Sequence, residues 1–229
     1  MAATTTFDRV YIWERPVRLY HWLTVASVLT LIGTGLIIGR PPAFTTAGDA
    51  SASQWFGTVR FLHFTAGYVF LFAFVIRLYW MFMGNQYANW SNSLPLKPSL
   101  LRRQVREIVQ VLKTDILQVT KEPAEVKGHN ALAAWTYTAV FLLTIFQVMT
   151  GFGLYAPMSD AWLPQLFAWV VPLFGGDANV RIWHHFATWF FVVFAAIHVY
   201  LALLHDYVEG RGEISSMVSG VKFYTRNNH

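Results

Sequence analysis

The chain has 229 residues, of which 55% are hydrophobic and only 13% are charged, with a formal net charge of +5. Soluble domains carry about 25% charged residues, so this composition excludes an ordinary soluble globular protein. The chain contains no cysteine, which excludes disulfides, iron–sulfur ligation, thiolate zinc sites and covalent attachment of c-type haem.

Four apolar blocks predict four membrane-spanning helices. Such a helix requires roughly 20 apolar residues, and the blocks that meet this length lie at about 19–39, 61–83, 131–156 and 183–204. Segment 162–174 is also apolar, but it is short and contains two prolines, so we interpret it as an interfacial loop. The predicted fold is an all-α integral membrane four-helix bundle that forms a single domain over residues 1–229.

The distribution of basic residues predicts the orientation of these helices. Thirteen of the 17 Lys and Arg residues lie in the N-terminal tail, in the loop between the second and third blocks, and in the C-terminal tail. The positive-inside rule therefore places both termini in the cytoplasm. Residues 99–119 combine apolar positions at helical spacing with basic neighbours, which is typical of an amphipathic helix on the inner membrane surface. The expected environment is a lipid bilayer, and we expect no nucleic-acid partner.

Four histidines occupy matched depths in the predicted helices. His63 and His184 lie at the outer starts of the second and fourth helices. His21 lies at the inner start of the first helix, and His198 follows His184 by fourteen residues, or about 21 Å, on nearly the same helix face. Two imidazoles at one depth on facing helices can bind a haem iron from both sides. The spacing thus predicts two bis-histidine haems, with His184 and His198 on one helix, and a transmembrane electron path.

Other interpretations of these histidines remain open. A single histidine in a membrane helix is often a packed polar group bonded to a neighbouring helix. His185 is the alternative ligand on the fourth helix, although its turn angle matches His198 less well. Four-coordinate zinc is less favoured than haem because zinc takes its ligands from one small site, whereas these histidines form two layers.

Arginines and glycines around the histidines fit the same interpretation. Three of the candidate ligands follow an arginine by three residues, and because residues at i and i+3 share a helix face, the arginines suit haem propionates; they are Arg18, Arg60 and Arg181. Gly35 and Gly67 lie near the depth of the outer haem, where a missing side chain allows close approach of a flat ring. The arginines could instead anchor the helices at the interface, and the glycines could serve helix packing.

A series of short motifs extends in order over nearly the whole chain. They are WERPVRLYHW (13–22), VRFLHF (59–64), IRLYW (76–80), GNQY (84–87), GHN (128–130), TGFGLY (150–155), WH (183–184) and HVY (198–200). In these motifs the chain resembles the b-type cytochrome subunit of membrane-bound nickel–iron uptake hydrogenases, and the formate dehydrogenase membrane subunits share the same four-helix, two-haem plan.

The resemblance implies a function that the spacing alone does not. It implies two haems b held by His21, His63, His184 and His198, a bacterial inner-membrane location, and hydrogenase small and large subunits on the periplasmic face. Electrons from hydrogen would then reduce a membrane quinone near the cytoplasmic side. Without cysteine the chain cannot itself hold the hydrogen-activating centre. The rivals are the same role for another dehydrogenase, such as formate dehydrogenase, and a haem-free membrane anchor; a higher oligomer of the complex is left open.

The junction before the third helix is a candidate quinone site. His129 and Asn130 stand where the basic loop meets this helix, at about the depth of the inner haem. His129 can relay protons near neutral pH, and the Asn130 amide can donate a hydrogen bond to a quinone carbonyl. The alternative is that Asn130 simply caps the helix.

Overall fold

The computed structural model describes residues 7–42, 54–89, 131–210 and 212–225. Most of these residues are helical, and a single 3₁₀ turn covers Ala156–Met158. In chain order the elements are β1 (Phe7–Tyr11), α1 (Arg15–Gly39), α2 (Trp55–Met83), α3 (Ala131–Tyr155), α4 (Trp162–Gln165), α5 (Val170–Leu173), α6 (Asp177–Glu209), α7 (Glu213–Ser219) and β2 (Val221–Thr225).

Four of these helices are long and apolar enough to cross a membrane, namely α1, α2, α3 and α6. They coincide with the four predicted blocks, and the predicted all-α integral membrane class is confirmed. The predicted amphipathic helix at 99–119, His129 and Asn130 lie outside the described residues.

The long helices begin earlier than their apolar blocks. Helix α1 begins at Arg15, α2 at Trp55 and α6 at Asp177, so each has at least one further turn before the apolar block that predicted it. At the start of α6, Asp177 Oδ2 accepts a hydrogen bond from Arg181 Nε at 2.7 Å, and an acidic residue in a first turn is favourable there. The three arginines that we predict to bind propionates, Arg18, Arg60 and Arg181, therefore lie within helices. This is what the i, i+3 argument requires.

The described residues form two compact units. The first, here called the cavity unit, comprises Leu19–Ile76 and Phe141–Ala195. Helix α2 is central in its aromatic packing, since ring centroids lie 5.1–6.1 Å apart in contacts to α3 and α6; these are Tyr68–Phe152, Phe74–Phe141 and Phe70–Phe191. Ala66 and Ala73 on α2 are buried, and their small side chains allow neighbouring helices to approach closely.

Segment α4–α5 folds back onto the end of α3. Gln165 Nε2 donates to the carbonyls of Ala156 and Ser159 at 2.8 and 2.7 Å. A Cβ at Gly153 would lie 2.9 Å from Val170 Cβ, so this glycine serves the packing of α5 against α3. The segment is built of two four-residue helices, which are too short to cross a membrane, as predicted.

The second unit, here called the terminal unit, comprises the described residues of Met1–Arg18, Arg77–Val140 and Ala196–His229. Its strands β1 and β2 pair antiparallel, from Phe7 opposite Thr225 to Tyr11 opposite Val221. The sequence interpretation contained no strand. Each strand has only five residues and its partner lies more than 200 residues away, so no local hairpin signal marks the pair.

Several residues of the sequence motifs form hydrogen bonds within this terminal unit. Glu14 Oε2 accepts hydrogen bonds from Trp80 Nε1 at 2.8 Å and from the Asn85 backbone N–H at 2.9 Å. Asn85 Nδ2 donates to the Ile12 carbonyl at 2.9 Å, and Trp13 Nε1 donates to Ser216 Oγ at 3.2 Å. These residues therefore connect the N-terminal segment to the end of α2 and to α7.

Candidate functional site

The cavity unit encloses a cavity of about 520 Å³. This volume falls within the range of about 300–1,000 Å³ that is usual for ligand and cofactor pockets. His63 from α2 and His184 from α6 line it together, as do the predicted glycines Gly35 and Gly67. The structure thus brings the predicted outer pair of histidines to one cavity.

His63 is held by a threonine of the neighbouring helix. Its Nδ1 lies 2.8 Å from Thr34 Oγ1 on α1. The Thr34 hydroxyl donates to the Thr30 carbonyl at 2.6 Å. A hydroxyl has one proton, so in this bond Nδ1–H of His63 donates to Thr34, and the Nε2 lone pair remains available as a ligand.

His184 is held in the same way by α3. Its Nδ1 lies 2.8 Å from Thr150 Oγ1, whose hydroxyl donates to the Phe146 carbonyl at 2.8 Å. By the same argument His184 donates from Nδ1–H and keeps its Nε2 lone pair. Metal-ligating histidines usually donate their other ring N–H to such an acceptor, so both contacts suit imidazoles that would bind a metal through Nε2.

Glycines allow close packing against these imidazoles and leave part of the cavity open. A Cβ on Gly35 would lie 3.3 Å from His63 Cε1, and a Cβ on Gly151 would lie 3.3 Å from His184 Cε1. Gly35 was predicted to admit a flat cofactor ring, and in the structure its contact is with the His63 imidazole. Gly67 differs, since a Cβ there would meet no atom within 4 Å while the residue lines the cavity. It leaves room for a large group one turn from His63.

Arginines line the same cavity. Arg60 Nη2 lies 2.8 Å from Met158 Sδ, and its Cζ lies 5.8 Å from the centre of the Phe64 ring. Arg181 is bonded to Asp177, and both side chains are about half exposed. Arg40, which the sequence interpretation did not include, also lines the cavity. The two predicted arginines and Arg40 offer cationic partners for anionic groups such as carboxylates.

The cavity also contains an unpaired polar atom. Gln147 Nε2 donates to Thr188 Oγ1 at 2.9 Å, and the Thr188 hydroxyl donates to the His184 carbonyl at 2.9 Å. Gln147 Oε1 is buried and has no hydrogen-bond partner among the residues that the structure describes. Buried polar groups are usually satisfied, so this oxygen indicates a cavity built around further contents.

The predicted inner pair is divided between the two units. His21 belongs to the cavity unit and His198 to the terminal unit, so their pairing stays a prediction. His198 lies on the same continuous helix as His184. Arg18 Nη1 donates to the Val218 carbonyl. Its Nε is buried without a hydrogen-bond partner within the described part of the chain.

The residues fit a haem with two imidazole ligands. Bis-histidine ligation needs two Nε2 donors, open space between packed helices, and cations for the propionates, and His63, His184, Gly67 and Arg60 meet these needs. Within the described ranges, no group of three or more His, Asp or Glu side chains could hold a metal ion.

Sequence reasoning missed the threonines that hold the histidines. The available signal was a repeated dipeptide: Thr34-Gly35 and Thr150-Gly151 each lie about one turn before the end of a helix, and an Arg-x-x-His sequence follows later in the chain. Threonine in a membrane helix usually bonds the carbonyl four residues earlier, so its second bond to a histidine is visible only in three dimensions. Gln147, Thr188 and Met158 were missed for the same reason.

Comparison with known proteins identifies the family. Residues 12–220 match the family described as prokaryotic cytochrome b561. The chain belongs to this family. The match includes both threonine–histidine pairs and all four long helices. It supports a membrane b-type cytochrome with haem b, and hence a role in membrane electron transfer.

Curated relatives extend over nearly the whole chain. A protein of Azotobacter vinelandii named "Probable Ni/Fe-hydrogenase B-type cytochrome subunit" is 39% identical over 218 residues, which are 94% of this chain and 89% of the relative. A Cupriavidus necator protein of the same name is 35% identical over 227 residues, with shares of 98% and 91%. The "Probable Ni/Fe-hydrogenase 1 B-type cytochrome subunit" of Escherichia coli K12 is 33% identical over 216 residues, with shares of 93% and 90%. The predicted family resemblance is confirmed.

Proposed function

We propose that this cytochrome carries electrons across the bacterial inner membrane, from a periplasmic nickel–iron hydrogenase through two haems b to the quinone pool. The observation that carries the proposal is the matched pair His63 and His184, which line one cavity with their Nδ1–H groups bonded to threonines. Bound haem would supply reversible one-electron chemistry at this position.

The residues of the chain prepare the site in three ways. Thr34 and Thr150 hold the two imidazoles in the Nδ1–H tautomer. Gly67 keeps the cavity open beside His63. Arg60 and Arg181 hold propionates where the cavity is rimmed by polar groups, and Arg40 adds a third positive charge there. For the second haem we keep His21 and His198 as the predicted ligands, and Arg18, three residues before His21, as the predicted propionate partner.

The basic residues and the relatives support the direction of transfer. The excess of Lys and Arg in both tails and in the loop between α2 and α3 favours cytoplasmic termini. With cytoplasmic termini, the first turns of α2 and α6, which belong to the cavity unit, would face the periplasm. The relatives are named as cytochrome subunits of nickel–iron hydrogenases, so the large and small hydrogenase subunits are the partners we propose at that side.

The quinone would react near the cytoplasmic side. His129 and Asn130 are the groups we propose for it: His129 exchanges protons with a quinone oxygen and Asn130 donates a hydrogen bond to the other. This proposal rests on residue type and on position at the start of α3, since a quinone needs hydrogen-bond partners and a route for two protons.

Spectroscopy of the purified complex tests the proposal. The complex should contain about two haems b per copy of this chain, and hydrogen should reduce both without an added dye. A complex with no b-type absorption band after dithionite reduction would support the haem-free anchor. Identification of the chains that co-purify separates a hydrogenase from formate dehydrogenase, because both would give the same haem spectrum.

A further inference from the structure

The two cavity histidines have equivalent surroundings on different helices. His63 of α2 meets the dipeptide Thr34-Gly35 of α1, and His184 of α6 meets Thr150-Gly151 of α3. Both Nδ1–Oγ1 distances are 2.8 Å, and a Cβ added to either glycine would lie 3.3 Å from Cε1 of the corresponding histidine. The same Thr-Gly contact with an imidazole therefore occurs twice around one cavity.

With its hydroxyl proton on the backbone carbonyl four residues earlier, each threonine accepts from its histidine. Thr34 uses its single proton toward the Thr30 carbonyl and Thr150 uses its proton toward the Phe146 carbonyl, at 2.6 and 2.8 Å. The direction of the two histidine bonds is therefore set by the backbone of α1 and α3. For either histidine to adopt the other tautomer, a buried hydrogen bond of its threonine would have to break.

These hydrogen bonds are shielded from solvent. Thr34 is 9% exposed and Thr150 is 1% exposed. A hydrogen bond in such a low-dielectric environment is stronger than in water, and leaving Nδ1–H without an acceptor there is costly. The two threonines consequently act on the electronic character of the imidazoles as well as on their orientation.

We propose that Thr34 and Thr150 are positioning residues that set the reduction potential of the haem bound by His63 and His184. The inference rests on the proposed haem ligation. An Nδ1–H that donates to an oxygen makes Nε2 a more basic ligand. A more basic ligand favours the oxidised iron, so these bonds lower the potential of this haem relative to the same pair without acceptors.

Isosteric substitutions separate this role from packing. Thr34→Val and Thr150→Val remove the acceptor and keep the volume, whereas Thr34→Ser and Thr150→Ser keep the acceptor. Thr30→Val is the matched control, because its hydroxyl bonds the Ala26 carbonyl at 2.8 Å on the same helix and no histidine. Each variant is purified in its complex and measured for haem content, redox titration and low-temperature EPR of the oxidised haems.

We expect the valine variants to shift the midpoint potential of one haem to more positive values and to change its EPR g-values. The other haem should stay at the parent potential. Where the imidazole is also loosened, haem retention should fall by about 10- to 100-fold, the usual effect of removing a hydrogen-bond partner of a metal ligand. The serine variants and Thr30→Val should remain near the parent in all three measurements.

Two results would overturn the inference. One is a potential and EPR spectrum in Thr34→Val and Thr150→Val equal to those of Thr30→Val. The other is equal loss of haem in the serine and valine variants, since the serine variants keep the acceptor and the effect would then come from altered packing. Failure of the proposed function looks different: His63→Ala and His184→Ala would then retain the parent haem content.

Discussion

A Cβ at Gly39 would stand 2.5 Å from His185 Cε1, whereas His184, one residue earlier, bonds Thr150 of α3. The two adjacent histidines of α6 thus point to different helices, α1 and α3. His184 alone of the two has a threonine acceptor on Nδ1 among the described contacts, and His185 is the more exposed of the two. This relationship favours His184 as the haem ligand, in agreement with the predicted spacing to His198.

The first prediction separates His184 from His185. His184→Ala should remove about one haem per chain, because it deletes a ligand with a prepared tautomer. His185→Ala should retain both haems. Haem content per chain, measured by pyridine haemochrome, checks this, and the opposite pattern would mean that His185 is the ligand on α6.

The second prediction concerns the pairing of ligands. If His63 and His184 bind one haem, the double variant His63→Ala/His184→Ala should lose only one haem, as each single variant does. His63→Ala/His198→Ala should lose both, because its substitutions fall on different haems. Haem content again provides the measurement. Equal content in the two double variants would contradict the pairing.

The third prediction uses the open space at Gly67. Gly67→Leu should exclude the haem of this cavity, since a side chain there would enter the cavity and meets no protein atom at its Cβ. Gly33→Leu is the matched control: a Cβ at Gly33 is equally unobstructed, but Gly33 is exposed on α1 and does not line the cavity. Both proteins should fold, and only the first should lack one haem. Full haem content in Gly67→Leu would place the cofactor elsewhere.

The fourth prediction ranks the cavity arginines. Arg60→Gln and Arg181→Gln should both weaken haem retention, because propionates would lose a cationic partner. The effect should be larger for Arg60, since Arg181 already shares its charge with Asp177. Arg60→Lys keeps the charge and controls for it. Retention is followed as haem loss to an excess of apomyoglobin, and unchanged loss rates in both glutamine variants would support simple interfacial anchoring.

The fifth prediction concerns quinone reduction. His129→Ala should slow hydrogen-dependent reduction of quinone, while both haems stay reducible and hydrogen oxidation with an artificial dye continues. Asn130→Ala should show the same separation if its amide binds quinone. Parent-level quinone turnover and inhibitor sensitivity in both variants would leave Asn130 as a helix cap and place the site elsewhere.

The four long helices were predictable because length and apolar content alone decide whether a segment can span a bilayer. Their exact starts were not, since Arg15, Trp55 and Asp177 begin helical turns that continue beyond the apolar blocks. Histidine spacing and the Arg-x-x-His turns predicted an outer pair of haem ligands, and in the structure His63 and His184 line one cavity, while their ligation of haem stays a prediction. The threonine partners could not be derived, because a bond from Thr150 to a residue 34 positions later depends on how α3 and α6 pack.

The terminal sheet shows the limit of local patterns. Phe7–Tyr11 and Val221–Thr225 have the alternation of short strands, but neither segment predicts its partner. Glu14 is a second example: its carboxylate was a motif residue without an assigned role, and the structure gives it two donors, Trp80 and Asn85. Such bonds join residues from distant parts of the chain and depend on the completed fold.

Pairing of β1 with β2 also fixes an order of assembly. During synthesis β1 emerges first, yet its partner strand is made only after all four long helices have been synthesised. The Gly220 carbonyl, which accepts from the backbone N–H groups of Ile12 and Trp13, arrives equally late. The terminal unit therefore closes last, and a chain interrupted within α6 would present an unpaired β1 edge to the quality-control proteases of the cell.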